Sequence, residues 1–279
     1  MDLLNPNPSA VLPQAMWLLH SAASAHAGLT RESLLDLVLP KTYHHVAPSN
    51  GHHVRAAFTA LQKLGLFTVD DGVVTALQVE DHTVFIRHLR HRLIHPADTF
   101  GPDHEGAPSL VRGLRWLLKQ PPAKALHYST DIEVKTDEET RNTLKNKERW
   151  NIFRPWCYAL GFGHPALSLV DKNNSDTKIM ADPTPAVVDV IWHPFGEPLP
   201  RDTQIPISQL LDFLRRELPV LPDGTGEPRE LHALGHALLA AARQGVLDLA
   251  YESDAPSNLA LPYAKAGETP LVSAVTIRK

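Results

Sequence analysis

Apolar positions along the chain alternate between two periods, and the alternation predicts its elements. Leu12, Met16, Leu19 and Ala23 fall on one helical face, and Gly28 follows. LTRESLLDLVLP restarts a helix that Thr30 can cap and that Pro40 stops. KTYHHVAPSNG is polar and broken, as a loop is. From Gly51 a third helix faces inward through Val54, Ala57, Phe58, Leu61 and Leu64, and Gly65 ends it. The period then drops to two: Phe67 and Val69, then Val73, Thr75 and Leu77, with Asp71-Gly72 between as a hairpin turn. Three helices and a hairpin in this order predict a winged helix-turn-helix.

A connecting helix is expected from Asp81 to Ile94, with Phe85, Leu89 and Leu93 inward. Beyond it, SLVRGLRWLLKQPP aligns Leu110, Leu114 and Leu117 or Leu118. The charged run EVKTDEETRNTLKNKER predicts a solvated helix or mobile linker. ERWNIFRPWCYALGFG places Trp150, Phe153, Cys157 and Leu160 on one face. After a Pro-rich stretch, Ser208 can cap ISQLLDFLRREL, and a turn is expected at Pro222-Asp223-Gly224. Leu231, Leu234, Leu238 and Ala242 form a further stripe, ended by Gly245. Leu247, Leu249 and Tyr251 then alternate as a strand, with LVSAVTIRK as its partner.

One phrase recurs three times: LGLF, LGFG and QGVL. In each, a helix ends in glycine and passes straight into an apolar residue. The first and third copies continue into a clear strand; the second does not. The expectation is a mainly helical α+β protein with tandem winged-helix-like units. Its parts would be residues 1–78, a winged helix-turn-helix; 79–200, a helical middle domain with a second such unit; and 201–279, a C-terminal winged-helix-like domain.

Composition narrows the function. Hydrophobic residues are 43% and charged residues 21% of 279, an ordinary globular balance. No apolar run is long enough to cross a bilayer, and no signal peptide is read at the N-terminus, so no membrane association is expected. A single cysteine, Cys157, excludes an internal disulfide and suits a reducing cytoplasm. The net charge is -4, so the chain does not coat nucleic acid nonspecifically. Any DNA contact must be a local patch.

The patch of choice is the outer face of the third helix: Arg55, Thr59, Gln62 and Lys63, with His52 and His53 at its N-terminal end. A recognition helix offers such side chains to bases and phosphates. The same residues would also suit an ordinary solvated helix face. Asp70 and Asp71 at the wing tip repel phosphate and fit protein docking equally well. The basic stretch FIRHLRHRLIH supplies Arg87, Arg90 and Arg92 as a second DNA surface, although its charges read first as the wet side of a helix. His91/His95 and His232/His236 have a metal-compatible spacing. They lack a third ligand motif, and no metal or cofactor is expected. Cys157, Trp150 and Trp156 read as core. No nucleophile elbow, phosphate loop or dinucleotide fingerprint occurs, so no catalytic residue is assigned.

NPNPSAVLP, VRAAFTALQKLGLFTVDDG, ERWNIFRPWCYALGFG, DPTPAV and VLDLAYESDA occur in an order that resembles DpdG proteins over nearly the whole chain. That resemblance implies a bacterial gene cluster that places 7-deazaguanine derivatives in DNA and restricts unmodified DNA. It implies a role on the restriction side, beside helicase-like and nuclease partners, and it supplies no catalytic residues. The expected function is a non-catalytic DNA-binding or adaptor component of an anti-phage restriction system. The alternatives are a free-standing winged-helix transcription regulator and a protein-only scaffold; a metal-dependent hydrolase is more distant.

Overall fold

The computed structural model describes residues 1–7, 10–40, 51–102, 104–133, 137–166, 178–223, 229–261 and 269–278. The loop read at KTYHHVAPSNG, from Lys41 to Asn50, lies outside the described residues, as does Gly224 of the expected turn.

The helices in chain order are α1 (Pro13–Ala25), α2 (Arg31–Val38), α3 (His52–Lys63), α4 (His82–Ile94), α5 (Pro108–Leu118), α6 (Glu138–Thr143), α7 (Lys147–Ala159), α8 (Thr184–Trp192), α9 (Ile207–Glu217) and α10 (His232–Arg243). The strands are β1 (Phe67–Asp70), β2 (Val73–Ala76), β3 (Gly163–Pro165), β4 (Ile179–Ala181), β5 (Gln204–Pro206), β6 (Arg229–Glu230), β7 (Leu247–Ala250), β8 (Leu259–Ala260), β9 (Leu271–Val272) and β10 (Ala274–Ile277). The protein is mainly helical α+β with small sheets. The chain forms two compact units, one of Met1–Val111 and Arg141–Leu160, the other of Arg112–Thr140 and Gly161–Lys279. This interleaving differs from the sequential parts 1–78, 79–200 and 201–279, because α7 joins the N-terminal unit.

In the first unit, α1 packs against α2, α3 and β2. Thr30 caps α2 by accepting the Ser33 N–H at 3.2 Å. Val54, Ala57, Phe58 and Leu61 of α3 are buried. Gly65 (φ +62°) closes α3: its N–H reaches the Gln62 carbonyl at 2.8 Å and that of Leu66 reaches Leu61 at 2.9 Å. This paired glycine turn delivers Phe67 into β1. β1 and β2 pair antiparallel from Phe67↔Ala76 to Asp70↔Val73. Asp71 (φ +50°) and Gly72 (φ +81°) supply the left-handed pair that a two-residue hairpin needs. Asp81 caps α4, accepting the Val84 N–H at 2.9 Å.

α7 completes this unit, with Trp150, Phe153, Trp156 and Cys157 buried. The Trp156 indole donates to the Val11 carbonyl at 3.1 Å. Buried Arg149 donates to the Thr143 carbonyl at 2.6 Å and to both Asp2 carboxylate oxygens at 2.9 Å. The charged run around residue 140 is therefore not simply solvated. Thr140, Thr143, Leu144 and Arg149 are all buried, because a few inward positions suffice to anchor it.

In the second unit, β3 and β4 pair antiparallel. The second glycine phrase thus does reach a strand. Its signal was weak because each strand has three residues and the partner begins only at Ile179. A three-stranded sheet has the order β5-β10-β7, and a small one β6-β8-β9. α8 packs on α9 and α10. Ser208 does not cap α9. Pro206 holds the cap position, and the Ile207 N–H is taken by the Ser273 carbonyl at 2.8 Å, so sheet backbone replaces a side chain there. Tyr251 lies just past β7 and is 54% exposed. The buried Glu217 carboxylate accepts the N–H groups of Phe195 at 2.9 Å and Gly196 at 3.1 Å, which fastens the residues after α8 onto α9. Among the described residues, no helix is long and apolar enough to cross a membrane.

Candidate nucleic-acid interface

The apolar stripe of α3 turns its opposite side outward. His52, Ala56, Thr59 and Lys63 follow one another at helical spacing as a single outer row, flanked by Arg55 and Gln62. His52, Thr59 and Gln62 are exposed, and His53, Arg55 and Lys63 are half-buried. The Thr59 hydroxyl donates to the Arg55 carbonyl of its own helix at 3.1 Å. Lys63 Nζ lies 2.8 Å from Glu105 Oε1. The neighbouring hairpin exposes Thr68, Val69, Asp70 and Asp71, so its tip is acidic.

The second surface drawn from the sequence comes apart. Arg87 is half-buried on the outer side of α4. Arg90 is only 4% exposed and donates to the Leu160 carbonyl at 3.4 Å, so it is removed from any phosphate contact. Arg92 is half-buried. Its Nη1 donates to the Leu64 carbonyl at 2.9 Å, and its guanidinium lies 5.1 Å from the Phe100 ring centre. It holds the end of α3 rather than facing solvent. The reading of this helix as a wet face is corrected accordingly. The residues after α4 fold back over it, which sequence periodicity does not reveal.

That folding back changes the histidines. His104 is buried and its Nε2 donates to the Arg92 carbonyl at 2.9 Å. The His91 and His95 rings lie 4.1 Å apart, and Phe100 packs against His91 at 5.1 Å and His104 at 4.6 Å. Burial, together with His95, Arg92, His88 and Arg90, lowers the His91 pKa to about 3. Burial also lowers His88, His104 and Arg92. Among the described residues, no three His, Cys, Asp or Glu side chains form a metal-binding group. His232 and His236 are half-buried on α10. Burial pushes the Cys157 thiol up, away from the reactive thiolate.

Three participants escaped the sequence reading. Glu105 and His104 lie between two helices, in HPADTFGPDHEGAP, a stretch with no helical or strand period, and neither carries a local signal of its partner. Arg31, at the start of α2, sets its guanidinium 5.1 Å from the Phe58 ring centre. Its place in the first helical turn was visible, but its stacking partner was not.

The fold and this surface define a mainly helical α+β protein with an outward-facing α3 beside an acidic hairpin. The chain belongs to the DpdG-like family, whose model matches residues 1–255. No curated protein and no solved structure matches it.

Proposed function

We propose that this protein is a non-catalytic DNA-binding or adaptor component of the Dpd restriction system, acting in the cytoplasm beside helicase-like or nuclease partners. Its N-terminal unit would work as a winged helix, with α3 as the reading helix and β1–β2 as the wing. The glycine-closed strands after α7 and α10 support two further units of related design. The observation that carries the reading is the outer row of α3, turned away from the core and flanked by Arg55 and Gln62. Family membership supports the restriction context.

A gel shift of the full chain on duplex DNA, across a salt series, tests this. The expected result is binding that weakens steeply with salt and drops about tenfold in the Arg55→Ala/Gln62→Ala variant. Unchanged affinity in that variant removes α3 from the interface. A protein-only scaffold is the second reading, favoured by exposed Val69, Asp70 and Asp71 at the wing tip. Failure to bind DNA even at low salt, by the wild type and by a Glu105→Gln variant alike, would decide for it. A free-standing regulator would instead require a dimer and a palindromic site.

A further inference from the structure

Resting on the reading of α3 as a DNA-contacting helix, we infer that Glu105 masks the end of its outer row, so that Lys63 makes no phosphate contact while that carboxylate is in place. Lys63 is the one permanent cation of the row His52, Ala56, Thr59, Lys63. Its side chain is 41% exposed and that of its partner Glu105 46% exposed, with ammonium and carboxylate 2.8 Å apart. A phosphate approaching this end of α3 therefore meets an ion pair, not a free cation, and must come within a few ångströms of a second negative charge.

The carboxylate is held in position from several directions. The Glu105 N–H donates to the Lys63 carbonyl at 3.1 Å, so main chain and side chain grip the same residue. On one side His104 is fixed by the Arg92 carbonyl. On the other Ala107 is buried, 1% exposed. Arg92 in turn holds the Leu64 carbonyl at the end of the same helix. Lys63's hydrogen bond keeps the Glu105 carboxyl below the usual carboxylate range, so it stays charged. The Met1 amine also lies 3.4 Å from Glu105 Oε2. It donates to the Gly106 carbonyl at 2.9 Å, and the Met1 side chain is only 9% exposed. The cation that removal of the charge releases toward solvent is therefore Lys63.

The masking has a measurable signature, because each phosphate neutralised steepens the dependence of log affinity on log salt by about 0.9. Four full-length proteins are compared on one DNA duplex: wild type, Glu105→Gln, Lys63→Ala and the double variant. Glu105→Gln keeps the backbone N–H that caps α3. It should steepen the slope by about 0.9 and bind several-fold tighter at low salt. Lys63→Ala alone should keep the wild-type slope, and the double variant should lose the gain in slope. Tighter binding by Glu105→Gln where the wild type binds barely at all also supports masking. A slope flattened by Lys63→Ala in the wild-type background would overturn it, since Lys63 would then already sit on phosphate. So would an unchanged slope in Glu105→Gln. DNA binding with those outcomes sinks only the masking. No binding by any of the four sinks the DNA reading as well.

Discussion

Arg92 of α4 and Leu64 at the end of α3 are joined by a hydrogen bond, 2.9 Å from guanidinium Nη1 to carbonyl oxygen. The cation sits where the helix dipole is negative and where carbonyls lack intrahelical partners. α4 thereby fixes the direction in which the candidate reading helix ends.

Arg92→Ala should therefore lower stability by about 1–2 kcal/mol, from the lost hydrogen bond and the lost contact with Phe100. Denaturant titration measures this. The same variant separates two roles for Arg92. If its guanidinium is committed inward, the salt slope of DNA binding stays as in the wild type. A slope lower by about 0.9 would show that Arg92 reaches phosphate directly.

The histidines make the first unit sensitive to acid. His91 is held down to about 3 from 6.5, chiefly by burial and then by His95, Arg92, His88 and Arg90. His20 and His104 are lowered as well. The unfolded chain binds these protons more readily than the folded one, so stability is fully present above about pH 6.5 and is lost as the pH falls toward the folded values. Thermal melting at fixed ionic strength should show Tm dropping progressively below neutrality. His91→Gln should flatten that drop, whereas an unaltered profile would assign the acid sensitivity to other groups.

Gly161 and Gly245 share a left-handed backbone, φ +77° and +73°, but not the same surroundings. A Cβ at Gly161 would meet the Ala186 nitrogen at 3.0 Å and Pro185 Cβ at 3.2 Å, whereas one at Gly245 meets nothing within 4 Å. Alanine costs about 1–2 kcal/mol at either site through backbone strain. Crowding should add on the order of 1 kcal/mol at Gly161 only. Denaturation midpoints of Gly161→Ala and Gly245→Ala measure the difference, and equal losses would mean that the crowding relaxes freely.

Asp2 holds a guanidinium that is otherwise buried. Asp2→Ala leaves Arg149 with the Thr143 carbonyl and should cost about 1–3 kcal/mol. The lower end applies, because the Asp2 side chain is 42% exposed and water can replace part of the interaction. Urea unfolding checks it; a loss below the resolution of that assay would show that the pair merely follows the fold.

Much of the architecture was legible because it is written locally. The stripe Val54, Ala57, Phe58 and Leu61 needs only helical period, and Gly65 and Asp71-Gly72 need only backbone chemistry that few residues provide. The outer face of α3 follows from the same stripe by exclusion. The weak points were places where local signal ran out, as at the three-residue strands β3 and β4. At Ser208 a plausible cap was replaced by the carbonyl of Ser273.

The sequence by itself determined the apolar stripes of helices such as α1, α3 and α7 and the glycines that stop α3, α7 and α10, since those choices are settled within one or two turns of chain. Tertiary structure alone decided which charges remain available. Arg90 is buried although its neighbours read as a wet surface. Lys63 meets Glu105 across 42 positions, and Arg149 meets Asp2 across 147. Such pairs arise when distant segments pack, and a cation carries no local mark of the carboxylate or carbonyl that will receive it.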